Sequence, residues 1–408
     1  MLQSASLIRT GKGKKTNVWK PSIDEKEEIL KDVIGPSGNL RAPAWRVGTE
    51  FIVGFNPELY QEMFGSMVRI GIIGAAGLSG IELLHLLSRH SEATVKLVTS
   101  SKYQGKSVSE VFPELYQYSL TFNSNETNVL DCDVVFLAVP NQASLELVPK
   151  LLGQGIRVID LSGAYRLANI DIFEKFYKLK HTYPELLKEA VFGLPEFLRH
   201  KISGARLVAN PGCYSTCALL GILPLAELLG DIDQPPVIDA KSGVSGAGGR
   251  VEDDSLNYVS VNENFKAYKV FSHQHQPEIQ QYLNELSPFN SDINGEVIFT
   301  PHLLPVNRGI LSTIYIHFRE SVDGIKMLQR FSEFADKQKF VEFLGKSHFP
   351  DIKMTSHTNR CMIGIECDQS GQNWIIVSSL DNLIKGAAGQ AIQNMNIMFG
   401  LEESLGLD

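Results

Sequence analysis

VRIGIIGAAGLSG, residues 68–80, decides the fold. A compact apolar run leads into the cluster Gly71, Gly74, Gly77 and Gly80, and IELLHLLSRH then takes up helical apolar spacing. Strand, glycine turn and helix form the opening of a dinucleotide-binding unit. Glycines let backbone amides approach a pyrophosphate, and the helix N-terminus favours its charge. The spacing is G-x-x-G-x-x-G rather than G-x-G-x-x-G, so a tight turn without a ligand is the competing reading. Working outward, TVKLVTSS (94–101), DCDVVFLAVPNQAS (131–144) and RVIDLSGAYR (157–166) read as further short strands ending in polar loops. Strands alternating with helical segments predict an α/β domain with a doubly wound, parallel Rossmann-type sheet.

The end of the second strand bears on the cofactor. An NAD site usually places Asp or Glu there to hold the ribose 2′-hydroxyl. Here the residues are Thr99, Ser100, Ser101 and Lys102, hydroxyls and a cation that suit a 2′-phosphate. NADP(H) is therefore the expected cofactor, with Gly74, Ala75, Gly77, Leu78, Ser79, Gly80, Ser100 and Ser101 as its candidate contacts. Solvated turn residues would have a similar composition.

From about residue 213 the pattern shifts. VIFTPHLLPVNRGILSTIYIHF offers two long β runs and CMIGIECDQSGQNWIIVSSL reads as a hairpin, which predicts an α+β domain with a largely antiparallel sheet. The tail NLIKGAAGQAIQNMNIMFGL returns to helical spacing. We assign residues 67–212 plus 380–408 to the Rossmann domain, and 213–379 to a catalytic and oligomerisation domain.

NPGCYSTCALL (210–220) places a cysteine where ARLVAN, a strand, meets Pro211-Gly212. Cys213 then falls near a helix N-terminus, where the dipole and free amides favour a thiolate. Cys217, one turn on, reads as an inert core thiol. A nucleophilic thiol needs a base, and FSHQHQPEI supplies His273 and His275, which face the same way if the segment is extended. As a metal pair they lack an evident third ligand. KSGVSGAGGR (241–250), containing Gly246, could expose amides to an anion. Arg166 and Arg308 are candidate carboxylate or phosphate binders through bidentate pairing.

Composition limits the alternatives. At 408 residues the chain is long enough for two or three domains, and 43% hydrophobic with 21% charged residues is ordinary for a globular protein. A net charge of −8 argues against a nucleic-acid partner, and GKGKK (11–15) is too short a basic run to change that. No uninterrupted apolar stretch reaches the ~18 residues of a membrane span. No apolar signal-peptide core is present, so the cytoplasm is the expected compartment. Five cysteines form no dense framework, and the odd count leaves at least one unpaired.

The first 66 residues differ in texture. Residues 11–42 are polar and broken by Gly and Pro, and AWRVGTEFIVGFNPELYQEMFG reads as two short strands around a Gly turn, then a helix. RAPAWRVGTEFIVGFNPELYQEMFG resembles the C-terminal half of a glutaredoxin-like fold. No cysteine precedes Cys132, so the redox chemistry of that family is absent. A short non-catalytic extension is expected, with a protein-interaction module as the rival.

Together, GAAGLSG, DLSGAYR, NPGCYSTCALL, KSGVSGAGG, YKVFSHQHQPEI, FTPHLLPVNRG and DNLIKGAAGQA resemble the N-acetyl-γ-glutamyl-phosphate reductases, a semialdehyde dehydrogenase family of arginine biosynthesis. The match runs from about Met67 to the C-terminus. It implies NADPH-dependent reduction of an acyl phosphate to a semialdehyde with release of phosphate. It also implies Cys213 as nucleophile, His273 as acid/base and His275 close to substrate. Asn382, with the glycine loop, is implied at the NADP site, and a homodimer or homotetramer is implied as the assembly. Ser215 and Cys217 depart from the commonest pattern without removing a catalytic group. The rivals are a reductase of aspartyl or amino-adipyl phosphate and a non-catalytic NADP-binding regulator.

Overall fold

The computed structural model describes residues 5–12, 15–36, 38–41, 44–47, 50–54, 56, 67–247, 258–287 and 295–408. The chain divides into two compact units, Met1–Met67 and Val68–Asp408.

In the first unit, β1 (Leu7–Lys12), β2 (Lys15–Trp19), β3 (Ala44–Val47) and β4 (Glu50–Val53) form one sheet in the order β2-β1-β4-β3. The pair β1/β4 is parallel and the other two pairs are antiparallel. Ile8, Phe51 and Val53 pack with Ile29 and Val33 of the helix Lys26–Val33. Asp32 accepts hydrogen bonds from Thr10 Oγ1 (2.7 Å), Asn17 Nδ2 (2.8 Å) and Trp19 Nε1 (3.1 Å). The strands expected around the Gly turn are present; the helix expected after them, over 57–66, lies outside the described residues. β1, β2 and the Lys26–Val33 helix were not foreseen; β2 buries none of its residues and so shows no alternation.

The second unit opens with β5 (Val68–Ile73), β6 (Ala93–Val98), β7 (Val134–Leu137), β8 (Arg157–Asp160), β9 (Val191–Phe192) and β10 (Leu207–Ala209). They form a parallel sheet in the order β6-β5-β7-β8-β10-β9, as expected of a Rossmann-type domain. Strand order reverses at β5, between β6 and β7, and ligands bind in such sheets at the crevice beyond the strand ends there. The turn into the helix Leu78–Leu87 sits at that point.

A seven-stranded sheet follows, comprising β11 (Val237–Gly243), β12 (Lys266–Ala267), β13 (Ile298–Leu304), β14 (Ile310–His317), β15 (Val341–Lys346), β16 (Cys361–Cys367) and β17 (Asn373–Leu380). Its order is β12-β13-β11-β14-β17-β16-β15. β11/β13 and β15/β16 are parallel, so the sheet is mixed, with the remaining pairs antiparallel. β13 and β14 alternate buried and half-exposed residues, which leaves one face of this sheet open.

The other face packs on the helix Cys213–Ile222, whose residues from Tyr214 onward are all buried. Pro224 turns the chain into a 3-10 run, Leu223–Asp231. Together Cys213–Asp231 are long and apolar enough to cross a membrane by length and composition, a span not expected from the sequence. In this fold the run is a core element, two-thirds buried against the sheet. The C-terminal helix Gly389–Met398 joins the neighbours of the parallel sheet: Asn394 Nδ2 donates to Gly193 O at 3.0 Å, and Arg157 donates to Met398 O.

Candidate active site

The glycine turn is built by close approach. Gly74 has φ +86°, and a Cβ there would fall 2.3 Å from Ala138 O, which follows β7. Only glycine lets the two loops of the switch point meet at that distance. Thr99 Oγ1 accepts from Gly74 N (3.2 Å) and donates to Asn125 Oδ1 (2.5 Å), hooking the turn to the end of β6. A Cβ on Gly80 would fall 2.6 Å from Ala75 Cα, so these two residues pack the turn from behind.

A pocket of about 870 Å³ opens over this turn and runs to Cys213. Gly74, Gly77, Leu78, Ser79, Ser100, Ser101, Gly246 and Asn382 line it, as do Arg166, His273, His275 and Cys213. Ala75 and Gly80, expected as cofactor contacts, do not; they shape the turn instead. Ser100 is buried and its hydroxyl accepts from Tyr103 N at 3.2 Å, which leaves Ser101 and Lys102 as the exposed groups at that end. Asn125 also lines the pocket and no sequence signal marked it.

Arg308, expected at the substrate, is absent from the pocket lining. It pairs with Glu82, on the helix after the glycine turn, and with Asp381 at 3.5 Å. The arginine is a staple between the two sheets' elements rather than a ligand-binding group. Asp381 in turn accepts from Leu383 N and His357 N, each at 2.8 Å, and so sets the start of the segment carrying Asn382. Asn382 donates to Ser245 Oγ (2.9 Å) and accepts from Gly309 N (2.8 Å).

Cys213 is the first residue of its helix, with Gly212 as N-cap. Glu278, fully buried, accepts from Gly212 N at 2.7 Å and pairs with Arg166 at 3.4 Å. Arg166 also donates to Asn210 O (2.7 Å) and Leu161 O (2.8 Å). The turn that presents the cysteine is thus riveted by a buried ion pair whose partners lie 112 residues apart in sequence. Sequence reading quoted Glu278 within its motif without assigning it a role. Burial raises the Glu278 carboxyl above its ordinary range, with Arg166 and the Gly212 amide opposing.

The histidines do not lie on an extended segment. Gln274 is helical and His275 begins the helix His275–Leu286, so the two rings meet edge to face with centroids 4.7 Å apart. His273 Nδ1 accepts from His275 N at 3.1 Å. His275 lies directly against the turn that presents Cys213: a Cβ on Gly212 would fall 2.2 Å from its Nε2. Its Nδ1 is buried without a hydrogen-bond partner among the described residues. Burial pushes His273 down to about 3 and His275 well below 6.5. Burial pushes the Cys213 thiol up to about 12, against the pull of the Tyr214 amide and Arg166. Desolvation outweighs the helix terminus here and favours the thiol and the neutral imidazoles, against the thiolate expected from sequence.

Cys217 Sγ lies 3.1 Å from Ser378 Oγ and is fully buried, a packing residue as expected.

The chain has relatives among known proteins. Residues 69–205 match the semialdehyde dehydrogenase NAD-binding domain, and residues 213–382 match the semialdehyde dehydrogenase dimerisation domain. The N-acetyl-gamma-glutamyl-phosphate reductase of Leptospira borgpetersenii serovar Hardjo-bovis is 49% identical over 344 residues, covering 84% of this chain and 99% of the relative. That of Nitrosospira multiformis is 43% identical, covering 84% and 98%. Among solved structures, aspartate semialdehyde dehydrogenase with NADP from Candida albicans aligns with TM-score 0.62 and 20% identity over 82% of this chain and 99% of that one. Aspartate semialdehyde dehydrogenase II of Vibrio cholerae gives TM-score 0.62 and 17% identity over 82% and 98%; at such identities the likeness concerns the fold. By its sequence relatives and its matched domains, the chain belongs to the N-acetyl-gamma-glutamyl-phosphate reductases of the semialdehyde dehydrogenase family.

Proposed function

We propose that this chain reduces N-acetyl-glutamyl 5-phosphate to the 5-semialdehyde with release of phosphate, using NADPH and a Cys213 thioester. The observation that carries the proposal is one continuous pocket joining the glycine turn to Cys213, with His275 against Gly212. The cleared turn at Gly74 and Gly77 fits a pyrophosphate. Ser101 and Lys102, exposed at the far end, fit a 2′-phosphate.

In the reaction, Cys213 gives its proton to His275 as it attacks the acyl carbonyl, the carbon–oxygen bond to phosphate breaks to leave the thioester, and the departing phosphate takes a proton from solvent. Transfer between a neutral thiol and a neutral imidazole needs no net charge to enter the buried site. Arg166, beside the sulfur and committed to Glu278, stabilises the thiolate that forms. NADPH, when bound, supplies the hydride that reduces the acyl group. His275 returns its proton as the carbon–sulfur bond breaks and the thiol is restored. We assign the acid/base role to His275 in place of His273, because His273 Nδ1 is occupied by a backbone N–H.

We further propose a homodimer formed through the open face of the seven-stranded sheet, where Tyr315 and Ile375 are exposed, acting in the cytoplasm. Residues 1–66 take no part in the chemistry. The decisive assay runs the reaction backwards with acetylglutamate semialdehyde, phosphate and NADP, on wild type and Cys213→Ser. Loss of about a thousandfold or more in kcat is expected for the variant. Near-normal activity refutes the nucleophile, preferred use of aspartate semialdehyde refutes the substrate, and preferred use of NAD refutes the cofactor.

A further inference from the structure

We propose that Lys385 is a positioning residue for Cys213, acting through a buried ion pair with Glu196; this rests on Cys213 being the nucleophile. Lys385 is fully buried, and so is its partner's side chain, 1% exposed. Nζ donates to Glu196 Oε1 at 2.6 Å and to Gln393 Oε1 at 2.7 Å, and it faces the Phe340 ring at 5.7 Å. Glu196 follows Pro195 at the start of the helix Pro195–Ser203, where the macrodipole favours a carboxylate. Gln393 in turn donates to Glu403, which pairs with Arg199 at 2.7 Å.

A buried pair of this kind is a poor source of stability. Desolvating two charges offsets their attraction, and apolar residues of equal volume often do as well. Glu196 Oε2 has no hydrogen-bond partner among the described residues, so the pairing is not even complete. What the pair supplies is direction, because two acceptors and a ring fix where Nζ sits.

The backbone that carries Lys385 is a single π turn, Ile384–Ala388. Gly386 N bonds Asp381 O at 2.9 Å, and Ala388 N bonds Leu383 O at 2.8 Å. Such turns carry an extra residue and recur at functional sites. Here the residue after Lys385 lies against the nucleophile: a Cβ on Gly386 would fall 2.7 Å from Cys213 Cβ. One residue further, Ala387 O accepts from Asn210 Nδ2 at 3.1 Å, at the start of Asn-Pro-Gly-Cys. The π turn therefore touches the cysteine and the turn that presents it, and Lys385 holds the π turn from inside the core. A displacement of 1 Å at a reacting atom is enough to cost about a hundredfold in rate.

The test replaces the ion pair by neutral residues of similar size, Lys385→Met with Glu196→Gln, in the full chain. Three quantities are read: thermal stability, kcat against KM for NADPH, and the rate at which iodoacetamide alkylates Cys213 across pH, followed on the Cys213 peptide by mass spectrometry. The expected result is a folded protein with KM for NADPH within about twofold, kcat down about tenfold or more, and a Cys213 alkylation rate changed about fivefold. A folded double variant with wild-type kcat and alkylation rate overturns the proposal. If that variant does not fold, Gln393→Leu carries the test, since it removes one acceptor and keeps the ion pair. A smaller shift in the same two readouts supports the proposal, and none overturns it. The alkylation rate reads the thiol's placement whatever the substrate, so its failure is distinct from failure of the Cys213→Ser assay.

Discussion

Around Gly74 the pocket is walled by backbone and small, half-exposed groups, whereas around Cys213 it is walled by buried rings and buried charges. The first wall works by what is missing: a side chain at Gly74 has no room beside Ala138. The second is backed by pairs, Arg166 of the lining with Glu278 and, deeper in the core, Lys385 with Glu196. A cofactor that must enter and leave needs an open cradle with amides already placed. A nucleophile needs its position fixed and its water removed, and buried charges achieve that only when each is matched.

If the contrast holds, substitutions in the buried wall act on kcat and stability, and those in the open wall act on cofactor affinity. The largest effect is expected at Glu278→Gln. It keeps an acceptor for the Gly212 amide but leaves Arg166 as an unmatched buried charge, costing about 3–5 kcal/mol of stability. A melting temperature close to wild type, measured by calorimetry, contradicts the pairing. Next come the histidines. His275→Asn should lower kcat about a hundredfold and His273→Asn only a fewfold, or roughly threefold, in single-turnover assays. The reverse order returns the acid/base role to His273.

Lys102→Ala is expected to raise the KM for NADPH about fivefold while leaving NADH kinetics and melting temperature unchanged. A fall in kcat instead means that the open wall is not purely a binding surface.

The last prediction concerns pH. His273 is held neutral by burial, with a folded value near 3 against 6.5. Unfolded chains then bind a proton that the folded chain refuses. The stability contribution is full above pH 6.5 and is lost as pH falls toward about 3. His273→Asn should flatten part of that acid limb in urea titrations from neutral to acidic pH. An unchanged limb shows that His273 gains its proton without unfolding.

The same contrast explains what could be read from sequence. The glycine wall was legible because strand, turn and helix are consecutive, and Gly74, Gly77, Leu78 and Ser79 all line the pocket. Cys213 was legible because its strand end, proline and helix start are local too. Arg308 was misread because its partner Glu82 lies 226 residues away, and nothing near PVNRG announces it. Glu278 and Lys385 sat inside quoted motifs, yet their roles come from Arg166 and Glu196, brought close only by the fold. The histidine pair was misjudged by period: H-x-H suggests a strand, but His275 starts a helix and the rings turn toward each other. In the first unit, β2 was invisible because an exposed strand carries no hydrophobic rhythm.

The protonated state of Cys213 at rest has a consequence for life with oxidants. Thiolates attack peroxides and disulfides far faster than thiols do. Burial that pushes the Cys213 thiol up to about 12 favours the unreactive form between turnovers. If Cys213 is the nucleophile proposed above, burial protects it until substrate is present, and oxidative inactivation should fall mainly on protein caught in mid-cycle.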